Sequence, residues 1–133
     1  MEAPIAYLSA EEVIKFNILA LEILRVKKKD RHQVLSRLKL DSALDECKSL
    51  DGNIYEKAAA LMSALIVAHA FASGNRRTAF ISTKQFVSRN KGKFSIPDDA
   101  NYAPIMQGIR EGRYPNNKIS EWIKYGKIIE RKR

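Results

Sequence analysis

From Ala58 to Ala72 the chain is apolar at nearly every position, and it enters this stretch through Glu56 and Lys57. A helix that is apolar on all sides must be covered on all sides, so the segment demands a central place with other elements wrapped around it. Ser63 and His69 interrupt it, and it falls short of the roughly 20 apolar residues that a bilayer crossing needs. The helix is expected from about Ile54 to Ala70, after the turn Leu50-Asp-Gly-Asn53. Gly74-Asn75 then breaks it and begins the next helix.

The flanking segments supply the cover. Leu8-Ser-Ala-Glu-Glu-Val13 reads as a helix start in which Ser9 caps, Glu12 completes a capping box and Leu8 staples onto Val13. This helix is expected to run to about Val26, burying a face built from Val13, Phe16, Ile18, Leu19, Leu21, Ile23 and Leu24. Between Arg31 and Leu40, Val34, Leu35 and Leu38 permit a short helix with no clear cap before it, and Asp41 is expected to cap a helix through about Lys48. After Gly74-Asn75 a helix extends to about Asn90, stopped by Asn90-Lys-Gly92. Another runs from about Ala100 to Gly112, and Asn117 caps a last one carrying Ile119, Trp122, Ile123 and Ile128. Phe94-Ser-Ile96 is extended at most, and nothing reads as a strand pair. The expectation is an all-α fold of about six helices around a central apolar helix, in a single domain over residues 1–133.

Lysine and arginine outnumber aspartate and glutamate by 24 to 15, a net charge of +9 gathered at Arg25, Lys27 to Lys29 and Arg31, at Arg76 and Arg77, and in the tail from Lys127 to Arg133. Such a field favours acidic partners: nucleotides, nucleic acid or an acidic protein. Zinc-finger spacing, an RNP-like segment and a basic heptad array are all missing, which argues against a dedicated nucleic-acid reader. A nucleic-acid binder driven by net charge alone is the weakest reading. The only cysteine, Cys47, cannot form an intramolecular disulfide, and no cleavable signal segment is recognisable. Together these point to a reduced, cytoplasmic compartment and no membrane.

The break after the apolar helix carries the chemistry. A helix starting near Asn75 aims the free backbone N–H groups of Gly74 through Arg77, and the positive end of its dipole, into the adjoining cleft. That is an anion site. Gly74 permits a left-handed backbone and close approach of a phosphate, Asn75 can donate its side-chain amide, and Arg77 presents a fork to phosphate oxygens beside the charge of Arg76. Local periodicity does not call for an imidazole at His69. An isolated histidine there would be read as a core residue; beside an anion turn, a neutral imidazole can take the proton of an incoming hydroxyl. Phe71 is expected to pack beneath the loop.

His69, Phe71, Gly74, Asn75 and Arg77 together resemble the signature of the Fic/Doc family, HxFx(D/E)GN(G/K)R. Leu8-Ser-Ala-Glu-Glu-Val13, Leu40-Asp-Ser-Ala-Leu44, Tyr55-Glu-Lys-Ala-Ala-Ala60 and Ile119-Ser-Glu-Trp-Ile123 are similar to the Doc (death-on-curing) branch. Arg76 is basic where Fic enzymes have glycine and Doc-like proteins lysine, and Phe80 takes the place of a second arginine common in Fic proteins. The resemblance implies a Fic-like helical bundle that transfers a phosphoryl group, or less readily a nucleotidyl group, from ATP or another nucleoside triphosphate to a Ser, Thr or Tyr hydroxyl of a target protein. His69 would be its base, and Gly74, Asn75, Arg76 and Arg77 its phosphate cradle. A flap clamping the target's backbone would fall at about Asp45 to Tyr55.

Ser73 stands where the family carries an Asp or Glu that holds Mg²⁺. A serine hydroxyl can ligate Mg²⁺ but brings no charge, and losing a carboxylate near 4 Å forfeits roughly 4 kcal/mol of gross attraction at an effective dielectric of 20. Two readings stay open: poor or unproductive nucleotide binding, or Mg²⁺ arriving on ATP with Arg76 and Arg77 sharing the charge stabilisation. The family's self-inhibiting (S/T)xxxE(G/N) pattern is not met, since Glu111 precedes Gly112 but Gln107 stands four before it. The resemblance therefore implies control in trans by a small antitoxin whose disordered acidic segment folds into a groove on the toxin. From a different class comes a catalytically degenerate module that binds nucleotide or a protein partner without turnover.

Overall fold

The apolar stretch forms α3 (Ile54–Ala68) in the computed structural model, which describes residues 4–24 and 33–128. Its start is fixed by a capping box. Asn53 Oδ1 accepts from the N–H groups of Tyr55 and Glu56, both at 2.9 Å, while Glu56 Oε1 accepts from the Asn53 N–H at 3.1 Å. From Lys57 to Ile66 every residue but Ser63 is buried. The short side chains of Ala58, Ala59 and Ala60 let neighbouring helices come close. Four do so: α2 (Arg37–Ser49), α4 (Asn75–Arg89), α5 (Tyr102–Arg110) and α6 (Asn116–Tyr125) all pack on α3, and α1 (Ala10–Leu24) lies against α4 and α2. The core between them is filled by Phe71, Phe80, Phe86, Met62, Met106 and Trp122. The fold is thus an all-helical bundle around one apolar helix, with a single isolated bridge, Val34 to Phe71, as the only strand-like pairing among the described residues. Among them no helix is long and apolar enough to cross a membrane.

Polar contacts tie the helix ends together. Lys57, only 6% exposed, donates Nζ to the carbonyls of Cys47 (3.3 Å), Lys48 (3.2 Å) and Leu50. Those are carbonyls that α2 leaves without intrahelical partners, so a lysine of α3 closes the end of α2. The expected box at α1 is present, with the Glu12 N–H on Ser9 Oγ at 3.2 Å and the Ser9 N–H on Glu12 Oε1 at 3.1 Å. Glu12 also pairs with Arg89, joining the start of α1 to the end of α4. α6 ends at Gly126 in a left-handed turn (φ +79°), where a Cβ would stand 2.5 Å from the Ser95 carbonyl oxygen. Glycine is required there on both counts.

The structure corrects several expectations. α2 is capped by Ser36, whose Oγ accepts from the Lys39 N–H at 3.1 Å, not by Asp41, which lies inside the helix and pairs with Arg37. Val34 and Leu35 are not helical, because this segment pairs with the chain leaving α3: the Leu35 N–H donates to Ala70 O (2.8 Å) and the Ala72 N–H to Gln33 O (3.0 Å). Asn117 is likewise internal to α6, which begins after Pro115, and Ile128 lies beyond its end. On α1, Ile18 and Leu19 are 39% and 42% exposed; the buried face is Val13, Asn17, Ala20 and Leu21. Residues 45–55 cannot form a flap beside His69. They make up the last turn of α2, the connection at 50–53 and the start of α3, at the far end of a helix of roughly 20 Å. The segment that flanks the motif is Gln33 to Ser36. The end of α1 at Val26, the basic cluster from Arg25 to Arg31 and the last residues of the tail lie outside the described residues.

Candidate active site

α3 terminates at His69, a C-cap in the left-handed region (φ 49°, ψ 50°) whose imidazole is exposed. A residue with a Cβ pays roughly 1–2 kcal/mol to sit there, so the surroundings must hold it. They do so through two buried carboxamides. Asn75 is bonded both ways to Phe71, accepting from its N–H at Oδ1 (3.1 Å) and donating Nδ2 to its carbonyl (2.8 Å), and Nδ2 also approaches His69 Nδ1 at 3.4 Å. Asn17 of α1 donates Nδ2 to the Ser73 carbonyl (2.9 Å) and to Thr78 Oγ1 (3.0 Å) from a fully buried position.

Between these clamps Gly74 takes φ +75°, and a Cβ on it would meet Leu21 Cδ2 at 3.2 Å and Asn17 Nδ2 at 3.4 Å. The first hydrogen bond of α4 is from the Thr78 N–H to Gly74 O, at 2.8 Å. The amides of Asn75, Arg76 and Arg77 ahead of it receive no side-chain cap, which leaves donors and the positive helix end facing outward.

They face a cavity of about 430 Å³, within the size range of small-molecule sites. Its walls are His69, Ala72, Ser73, Gly74, Asn75, Arg76 and Arg77 from the turn, Ile66 from α3, and Tyr102, Ala103 and Arg110 from α5. Every site residue singled out in the sequence therefore lines one cavity. The profile of the Fic/DOC family matches residues 7–87, more than half of the chain, from just before α1 almost to the end of α4. The chain belongs to the Fic/DOC family. No curated protein matches it. Members of the Fic/DOC family transfer nucleotide-derived groups to proteins.

Two details of this Fic/DOC turn differ from what spacing suggests. The carboxamide of Asn75 is spent on Phe71, so this residue faces the cavity mainly with its backbone N–H. Both terminal nitrogens of Arg77 are engaged by Asp98, with Nη2 to Oδ2 at 3.0 Å; Nη1 also donates to the Tyr102 hydroxyl at 3.3 Å. The guanidinium sits over Phe80, 5.2 Å from its centroid, and Phe80 stacks on Tyr102. The Arg77 hydrogen bonds hold the Asp98 carboxyl below its ordinary range, and Asp98 in turn raises the arginine. Arg77 Nε is left buried without an acceptor. Arg76 and Arg110, by contrast, have no ion pair or hydrogen bond among the described residues.

Asn17, Asp98, Tyr102 and Arg110 are the site residues that sequence reasoning missed. Asn17 left a signal, a polar residue on the stripe of Val13, Ala20 and Leu21. The others come from the α5 region, and only tertiary packing brings them to the turn.

The donor set does not suit a protein-held Mg²⁺. That ion is usually bound by one or two carboxylates together with substrate phosphates, and no carboxylate lines this cavity. Asp98 is committed to Arg77, and the described residues hold no group of three or more His, Cys, Asp or Glu that could bind a metal.

Proposed function

We propose that this chain is a Doc-like transferase, moving a phosphoryl group from a nucleoside triphosphate such as ATP to a Ser, Thr or Tyr hydroxyl of a protein. The observation that carries the reading is the exposed imidazole of His69 on the same cavity as the uncapped start of α4. His69 takes the hydroxyl proton as the oxygen attacks the γ-phosphorus. The bond from that phosphorus to the β,γ-bridging oxygen breaks, giving the phosphorylated protein and a nucleoside diphosphate. Attack at the α-phosphorus, releasing pyrophosphate, would make the same site a nucleotidyltransferase.

Each residue of the chain has a task in this scheme. Asn75 Nδ2 lies 3.4 Å from His69 Nδ1 and so helps to hold the ring at the cavity edge. The amides of Asn75, Arg76 and Arg77 receive phosphate oxygens, and Arg76 adds charge. Val34 lies in an extended segment alongside Phe71, and its own N–H and carbonyl form no hydrogen bond among the described residues. A target backbone could add there as a short strand, next to the base. A partner in trans, of the antitoxin kind, would find the exposed Leu35, Leu38 and Val67 close to the same edge.

A second reading has its own support: Ser73 in place of a carboxylate, and Arg77 held by Asp98, favour a module that binds nucleotide or a protein partner without turnover. Radioactive ATP separates the two. The transferase labels a protein partner, and His69→Ala, with its helical signal and melting temperature unchanged, loses the label; equal labelling by both proteins rules out the base. Nucleotide binding with no transfer to any protein selects the module.

A further inference from the structure

We propose that the cavity binds the polyphosphate chain without a protein-held divalent cation, and that Arg110 of α5 supplies the positive charge that such a cation would bring. The proposal rests on the nucleotide reading above and specifies how that site takes its ligand.

Three guanidiniums line the cavity and no carboxylate does. Arg77 is largely neutralised by the two oxygens of Asp98 and is pinned over Phe80. Unpaired charge therefore comes from Arg76, at the start of α4, and from Arg110, at the end of α5. They stand on different elements and line the same cavity, together with the uncapped amides at the start of α4. A polyphosphate meets guanidinium forks and N–H donors, the groups that bind phosphate oxygens best. A hard cation meets positive charge and a single serine hydroxyl, Ser73. The same electrostatics that admit the anion disfavour the ion.

Arg110 was free to serve another purpose. Arginine near a helix C-terminus commonly offsets the dipole, and Arg110 does occupy the last turn of α5. The dipole alone does not place it on a ligand cavity that a second unpaired arginine also lines.

Titration calorimetry on the full chain tests the proposal with two probes, inorganic triphosphate and ATP, each in EDTA and in excess Mg²⁺. The expected result is binding in EDTA that Mg²⁺ weakens several-fold, since the metal cancels charge on the ligand. Arg110→Gln should lose about tenfold in affinity, about 1.4 kcal/mol, and Arg110→Lys should keep most of it. Binding that appears only with Mg²⁺ overturns the proposal and leaves the anion site standing. So does an Arg110→Gln protein that binds as the wild type does, which removes Arg110 from the site. Failure of the wild-type chain to bind either probe under both conditions defeats the nucleotide reading itself. The metal comparison needs no variant, so a misfolded substitution leaves the proposal testable.

Discussion

Glu12 serves two helices at once, capping α1 through Ser9 and pairing with Arg89 at the end of α4. The Arg89 guanidinium holds its carboxyl down at about 2, against an ordinary 4.5. A depressed carboxylate stabilises the fold above its unfolded pKa and loses that contribution as pH falls through the folded one. Both side chains are about a third exposed, so the pair contributes about 1 kcal/mol after solvent screening. Glu12→Gln can keep the capping bonds and lose only the charge. Denaturant melts should show it about 1 kcal/mol less stable near neutral pH, with the gap closing between pH 4.5 and 2; a gap that persists in acid would assign the cost to the cap. At Gly74 the backbone itself is left-handed. Gly74→Ala places a Cβ at φ +75° and 3.2 Å from Leu21, and should cost about 1–2 kcal/mol in the same assay while weakening triphosphate binding.

Among the elements, α3 shows what a sequence can and cannot state. Its all-round apolar character required a central helix, and Gly74 marked where the chain turns. Lys57 read as the polar entrance to that helix, yet it is buried, because the end of α2 offers carbonyls that only a long donor can reach. Lys57→Met should therefore destabilise the fold by about 2–3 kcal/mol in a chemical melt, since carbonyls at a buried helix end lose a charged partner. Indifference to the change would mean that water satisfies them equally well. The cap of α2 was placed at Asp41 for a related reason. Ser36 is as good a cap locally, and it takes the role because Val34 pairs with Phe71, a contact far away in sequence. The α1 stripe was misread at Ile18 and Leu19 since hydropathy alone does not show which neighbour comes near. Asn17→Ala removes the bonds to Ser73 and Thr78. It should lower the melting temperature and loosen anion binding, and Asn17→Gln should not restore either if the reach of the carboxamide is what matters.

At the scale of the molecule, four helices rest on α3, so its middle opens only when the whole bundle does. Hydrogen exchange should find the amides of Met62 and Leu65 among the slowest, exchanging with the global unfolding free energy; faster exchange there than in α1 would contradict the hub. The candidate site follows the same division between local and global. The turn from His69 to Arg77 could be read from spacing, since capping, glycine conformation and helix dipole are local physics. Asp98, Tyr102 and Arg110 could not, because they reach the turn only through the packing of the α5 region. The pairing of Arg77 with Asp98 has a consequence for how such a site changes over time. Asp98 and Arg110 both lie beyond residue 87, where the family match ends. Substitutions at these two positions can raise or lower the charge offered to a ligand while the His-to-Arg run stays letter for letter the same. Two chains with identical signatures can then diverge in affinity, and the drift would be recorded in the loop before α5 and in α5 itself, which a signature search never inspects.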